Sequence, residues 1–403
     1  VNLSTSQTTA AQAPCQAPCQ APNLAHWETL AQVEVAPFAS QIDQQARVPA
    51  QVISALRQAG AFASGFTGGF AAGATAAPAA DPADALAAAL DHGHMHQALG
   101  AASASVQGVL NVHHMGGSAL AKWSSKAQKS HWMPKLLSGE ICCAIAMTEP
   151  EVGSDISAVQ TQARPVTGGY ELTGQKAWIT CGDFADLFVV IARTEAGPTA
   201  FLLPKQTPGL RIDPIDGMLG CRGYMMANLH LEAAFLPEDH LLGRPGFGAS
   251  HVAVTGLEAG RLNLAWGCVG LAEAACQLAL RRAKTRQQFG AAIGDFQLVQ
   301  QLLARMATDI HAARLMCQSA SSARALRQMD AAKQATMAKY FASQMVGRVT
   351  RDAQQIFGAE GIGGNSPMAL YYRDSRIMEV IEGTTQVLES LIARLALSEV
   401  ALS

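Results

Sequence analysis

Apolar spacing changes twice along this chain, and no other feature constrains its fold as tightly. From Gly256 onward, Leu262, Ala265, Trp266, Val269, Ala272 and Cys276 fall at helical spacing, as do Val299, Leu302, Leu303, Met306, Ile310, Ala313 and Cys317. After Gly383, Val387, Leu388, Leu391, Ile392 and Leu395 repeat it. Such stripes bury long helices against one another as a bundle. From Ile145 to about Ser250, Gly and Pro instead separate short β-prone runs: "YELTG", "KAWIT", "LFVVIA", "TAFLLP" and "LHLEAAFLP". The Gly168-Gly169 pair in "PVTGGYEL" signals a hairpin. From about Asn23 to Ala144 the chain is Ala-rich and reads mostly helical, broken by the Gly/Pro loop "GFTGGFAAGATAAPAADPAD". The expected fold is α+β, mostly α. The expected divisions are a low-complexity tail at 1–22, helices at 23–144, a β-domain at 145–250 and a helical bundle at 251–403.

With 403 residues, 49% of them hydrophobic, the chain has material for two or three domains. Charge is balanced, 29 Lys+Arg against 31 Asp+Glu, and no basic stripe interleaves with aromatics, so nucleic acid is not an expected partner. Apolar runs such as "LFVVIA" are too short to span a bilayer. No charged side chain precedes Glu28, so the start lacks the marks of a secretory or transit signal and reads as a flexible tail. Nine cysteines without a C-x-x-C predict reduced thiols and a cytoplasmic location.

Four stretches carry chemistry, although each taken singly is also ordinary loop, strand or interhelical punctuation. In "AMTEPEVGSD", Gly153 permits close backbone approach and Ser154 offers a hydroxyl and an amide to phosphate oxygens. In "KAWITCG", Trp178 can stack beside a planar ring and Thr180 can donate to a ring nitrogen. In "TRQQFGAAIGDFQLVQ", Arg286 and Gln297 suit phosphate and adenine edges, with Phe289 as an apolar face. "QIFGAEG" opens a Gly-rich interhelical link and precedes "YYRDSRIMEVIEGTTQ", which sets Glu382 behind Val380 and Ile381 and before Gly383. A glutamate so placed is either a helix-terminus charge or a base held on an apolar wall.

His92, His94, His96, His113 and His114 resemble a metal cluster in composition only. Only His92 and His96 would share a helical face, and no Asp, Glu or Cys completes a set, so no metal is expected. Nucleophile-elbow, P-loop and H-E-x-x-H motifs are absent from the sequence.

The four motifs, in this order within a helical–β–helical chain, resemble the acyl-CoA dehydrogenase family from about Ala25 to Leu397. The resemblance implies an N-terminal helical domain, a middle β-barrel and a C-terminal four-helix bundle. It further implies a homodimer or homotetramer with FAD between the β-domain and the C-terminal helices. Met147 and Thr148 would meet the isoalloxazine edge, Gly153 and Ser154 the pyrophosphate, and Trp178 and Thr180 the flavin near its reactive nitrogen. Arg286, Phe289, Gln297, Gln355, Gly358 and Ala359 would complete the adenine half across a subunit interface, with Thr384 and Gln386 closing on the phosphates. Arg261, Ile381, Gly383 and Ser154 would lie at the acyl site.

Glu382 matches the family's base, which takes an α-proton while hydride leaves the β-carbon for the flavin. Some relatives carry that base just before the Arg261 position, where this chain has Gly260. Three positions depart from the pattern: Cys181 replaces a frequent Asn, Ala359 the second Gly of a pair, and Ile381 a frequent Tyr. "MLGCRGYMMANLHLE", "LAWGCVGLAEAA" and "AKYFAS" are most similar to a secondary-metabolism branch acting on short acyl groups tethered to carrier proteins, including hydroxymalonyl- and aminomalonyl-type extender units. The resemblance leaves a short-chain acyl-CoA dehydrogenase, a flavin oxidase or monooxygenase, and an inactive binding paralogue as alternatives. The electron acceptor would be an electron-transferring flavoprotein or oxygen.

Overall fold

A computed structural model describes residues 24–66 and 81–398. The expected tail at 1–22, and residues 67–80 of the Gly/Pro loop, lie outside the described residues. Six helices come first: α1 (Leu24–Leu30), α2 (Ala39–Gln45), α3 (Ala50–Gln58), α4 (Pro82–Ala102), α5 (Ala104–Trp123) and α6 (Lys126–Leu137). Asp81 caps α4 by accepting from the Ala83 N–H, with Pro82 in the first turn. Ser103 ends α4 in an extended conformation and accepts from the Val106 N–H to start α5. Every residue of α5 from Ala104 to Ala121 is buried. Its polar residues Gln107, Asn111, His113 and His114 are therefore interior groups that need partners.

The middle region is an eight-stranded sheet. Its strands are β1 (Cys143–Ala146), β2 (Gln162–Val166), β3 (Gly169–Ile179), β4 (Leu187–Thr194), β5 (Gly197–Pro204), β6 (Leu210–Pro214), β7 (Ala227–Pro237) and β8 (Leu241–Leu242). They run in the order β6-β7-β3-β2-β4-β5-β8, with β1 parallel to β4. The expected hairpin joins β2 to β3, where Val166 faces Gly169 and Gly168 takes φ 83°. "YELTG" and "KAWIT" form one strand, β3, whose register against β7 shifts between Leu172 and Gly174 and again between Lys176 and Ile179. The second shift turns the Trp178 side chain outward, 56% exposed, at φ 58°.

Helices return with α7 (Val254–Thr285), a small hairpin of β9 (Gln287–Gln288) and β10 (Ala291–Ala292), then α8 (Gln297–Ala325), α9 (Ala331–Phe357), α10 (Ala359–Ile362), α11 (Pro367–Met378) and α12 (Thr385–Ser398). α7 is the hub, packed on α4, α5, α8 and α9. Its backbone meets that of α4 closely: a Cβ on Gly270 would stand 1.8 Å from the Gln97 carbonyl oxygen, which only glycine avoids. One core lies between the sheet and the N-terminal helices, and a second fills the bundle. Among the described residues no helix is long and apolar enough to cross a membrane, and all seven described cysteines are buried free thiols.

Candidate active site

Between α11 and α12 the chain turns inward. The Val380 and Ile381 N–H groups donate to the Ile377 carbonyl at 3.0 and 3.2 Å, closing α11. Glu382 and Gly383 then adopt positive φ of 57° and 98°. A left-handed glutamate is uncommon and costs backbone energy, which surrounding contacts must hold in place. Three do so. Arg261 on α7 donates from Nε to the Glu382 carbonyl at 3.2 Å. Lys339 on α9 donates from Nζ to the Gly383 carbonyl at 2.7 Å. Asn111 on α5 donates from Nδ2 to Glu382 Oε1 at 3.3 Å. Thr384 accepts from the Val387 N–H at 3.4 Å and starts α12, leaving its hydroxyl proton free to reach a phosphate.

The carboxylate faces Gly260, where an added Cβ would stand 2.8 Å from Glu382 Oε2 and 2.6 Å from Met115 Sδ. Burial pushes the Glu382 carboxyl up to about 7, against the pull of Lys339, Arg261 and the Asn111 bond. The apolar wall differs from expectation. Val380 is 51% exposed and does not shield the carboxylate, while Ile381 packs partly into the bundle core. Met115, from the buried helix α5, supplies the apolar contact instead.

On the sheet side, the Ala177 N–H donates to the Thr148 carbonyl at 2.9 Å, so Met147 and Thr148 lie alongside Trp178 and Thr180. Lys176 beneath them is fully buried and bonds Glu149 Oε1 at 2.7 Å and the Met147 carbonyl at 3.3 Å. Burial lowers the Lys176 ammonium to about 8. Burial opposes ionisation of Glu149, yet bonds from Lys176, Thr161 and Gln160 together hold its carboxyl below the usual range. Sequence reading passed over this pair, because a glutamate in a Thr-Glu-Pro turn looks like loop punctuation. Gly153 and Ser154 follow on the exposed rim, and no atom lies within 4 Å of where a Gly153 Cβ would stand. An open glycine, an outward indole and half-exposed Thr148 and Thr180 form a shelf that fits a planar ring with a phosphate tail. Cys181, buried at φ 61°, occupies a left-handed position of the kind Asn favours, which accounts for Asn as the frequent alternative.

The expected adenine-binding residues lie elsewhere, at the far end of the bundle. Arg286, Gln297, Gln355, Gly358 and Ala359 are exposed, and Phe289 is 97% exposed on the β9–β10 turn. Arg282 joins their two supporting segments, pairing with Glu360 at 2.7 Å and covering the Phe357 ring. Gly358, at φ 63°, has open space where a Cβ would be. Gln386 is exposed on the first turn of α12.

Behind Glu382 runs a polar seam between α4, α5 and α7. Gln107 Nε2 donates to His96 Nδ1 at 3.1 Å and to the Asn263 carbonyl at 3.1 Å. His96 and His114 share a 3.2 Å bond, and His114 Nε2 bonds the Ala61 carbonyl at 3.2 Å. His92 bonds Ser64 and Asn263, each at 3.0 Å. The carbonyl at Ala61 assigns the His114 proton to Nε2, which in turn assigns the shared proton to His96 Nε2. His114 is thus the third member of a buried trio with His92 and His96 that helical spacing alone did not reveal. The trio includes no carboxylate or thiolate, and burial holds His114 down at about 4 and His92 and His96 well below 6.5. Each ring nitrogen of the trio has a hydrogen-bond partner within the protein. Asn111 Oδ1, Gln107 Oε1 and Asn263 Nδ2 remain buried without a protein partner.

Comparison with known proteins agrees with this geometry. Family models for the N-terminal, middle and C-terminal domains of acyl-CoA dehydrogenase match residues 24–140, 144–234 and 248–397. The short-chain specific acyl-CoA dehydrogenase of Bos taurus mitochondria is 33% identical over 368 residues, 90% of this chain and 86% of the relative. A structure of PigA with FAD and proline superposes at TM-score 0.83 and 26% identity, covering 94% of this chain and 97% of that one. FkbI, described as serving biosynthesis of a methoxymalonyl extender unit of a polyketide, superposes at 0.81 and 25% identity, covering 93% and 99%. This chain belongs to the acyl-CoA dehydrogenase family and is an FAD-dependent oxidoreductase.

Proposed function

We propose that the enzyme oxidises a short, polar acyl thioester carried on the phosphopantetheine arm of a carrier protein, with Glu382 as the base. The Glu382 carboxylate, on a half-buried left-handed turn, carries this reading. A thioester α-hydrogen is weakly acidic, so its acceptor needs raised proton affinity and must still be ionised near neutrality. At about 7, Glu382 meets both conditions. Arg261 and Lys339 hold the loop by its carbonyls, and Asn111 orients one carboxylate oxygen. When bound, FAD supplies the hydride acceptor. Met147, Thr148, Trp178 and Thr180 would hold its ring, Gly153, Ser154, Thr384 and Gln386 its phosphates, and Arg286, Phe289, Gln297, Gln355, Gly358 and Ala359 its adenine half.

The polar acyl group is supported by the amide-lined seam behind the base, which offers unpartnered Asn111, Gln107 and Asn263 atoms where a plain alkyl chain would find none to bond. The likeness to FkbI, described as serving biosynthesis of a methoxymalonyl extender unit, supports a short polar acyl group, whereas the likeness to the bovine short-chain enzyme favours a free CoA ester as the second reading. The enzyme acts in the cytoplasm as a homodimer or homotetramer, and reoxidation goes to an electron-transferring flavoprotein or oxygen. Anaerobic flavin bleaching with matched CoA and carrier-protein thioesters tests the proposal. Faster bleaching by short polar carrier-bound thioesters supports it, and bleaching by medium-chain acyl-CoA without carrier protein overturns it.

A further inference from the structure

Lys339 is placed where the fold alone does not need a charge. It sits about a third of the way along α9, fully buried, with Ala335, Ala338 and Ala342 among its buried neighbours on that helix. Its single hydrogen bond among the described residues goes to the Gly383 carbonyl at 2.7 Å. A buried ammonium loses hydration that one carbonyl does not restore, and an apolar side chain of similar length commonly serves a core as well or better. The residue next to its acceptor is Glu382.

We propose that Lys339 is a positioning residue for the catalytic base: its ammonium pins the Gly383 carbonyl, fixing the left-handed turn, and its charge keeps the adjoining Glu382 carboxylate ready to take a proton. The inference rests on the assignment of Glu382 as base. The charged and polar groups around it come from every helix packed on the loop. Asn111 faces the carboxylate from α5 and Arg261 faces it from α7. Around the ammonium stand Cys268 and Arg261 on α7, Glu379 just beyond α11, and Glu382 itself. Lys339 is the strongest charge opposing the burial that raises Glu382. Arg261 shares the task, but Lys339 alone holds the glycine whose positive φ shapes the turn. Burial lowers the ammonium to about 8, so it remains charged at pH 7.

The test uses the FAD holoenzyme and reads Glu382 directly by infrared spectroscopy, as the carboxyl C=O band that Glu382→Gln removes. In Lys339→Met the titration midpoint of that band should rise by about one unit or more, as loss of a nearby opposite charge requires. Lys339→Gln, which can still donate to the Gly383 carbonyl, should show the same rise without the charge. The rate of flavin bleaching at pH 7 should fall about fivefold in Lys339→Gln and recover above the shifted midpoint. A purely structural lysine would lower thermal stability and leave the midpoint alone. An unmoved midpoint in Lys339→Gln overturns the inference. If no thioester bleaches the wild-type flavin, the oxidation reading fails, and the infrared midpoint still decides the role of Lys339.

Discussion

Gly260 and Glu382 occupy one space from opposite sides, because a Cβ on the glycine would lie 2.8 Å from the carboxylate oxygen. The two positions at which the family resemblance would place a base therefore face each other across a single site. This chain fills one and empties the other. Gly260→Ala should push the carboxylate or Met115 aside at a cost of about 1–3 kcal/mol. Turnover should fall by roughly tenfold or more while FAD is retained. Stopped-flow bleaching and the flavin spectrum check both.

Glu382→Gln removes the proton acceptor while keeping the side-chain shape and an oxygen for Asn111. Flavin bleaching by a competent substrate should fall by about 100-fold to 10,000-fold. In the wild type, kcat/KM should drop as pH falls through about 7, because the base must be ionised and its carboxyl is raised to that value. Bleaching rates from pH 5.5 to 9 test the limb, and an undiminished rate in the amide variant would end the assignment.

Asp374 offers a stability test outside the site. Burial first, then Asp43, pushes its carboxyl up to about 7, although it accepts from the Cys221 N–H at 2.6 Å. The folded state therefore holds this proton more tightly than the unfolded chain, whose carboxyl titrates near 3.8. The stabilisation from that proton is complete below the unfolded value and is lost as pH rises through about 7. Asp374→Asn still accepts from Cys221 and should flatten this decline, raising Tm at pH 8 relative to wild type by about 3 °C or more. Scanning calorimetry at pH 5 and pH 8 measures the difference.

Breaking the Lys176–Glu149 pair should loosen the shelf for the flavin ring. Lys176→Ala leaves Glu149 buried with an unpaired charge, at a cost of about 3–5 kcal/mol. The Met147 carbonyl loses its tether at the same time, so FAD should dissociate more readily on dilution. Flavin fluorescence released during gel filtration reports this loss, and full retention would remove Glu149 and Lys176 from the site.

The helical–β–helical order, the hairpin at Gly168 and the tight turn that carries Glu382 could be read in the sequence, because each depends on local spacing or on a short contiguous motif. "EGTT" alone marks a tight turn after a carboxylate, and the structure puts positive φ at Glu382 and Gly383. What surrounds that carboxylate was not legible. Asn111, Met115 and Lys339 come from two other helices and meet it only after α5 and α9 pack, so no window of sequence contains the contact; Gly260 could be named from the family pattern, but not its contact with Met115. The same reason hid the pairing of Lys176 with Glu149 and the arrival of His114 beside His92 and His96. Chain order determined the elements and the chemistry available at each. Long-range packing decided which of those groups lost their water and thereby acquired altered proton affinity, since desolvation depends on neighbours from every side.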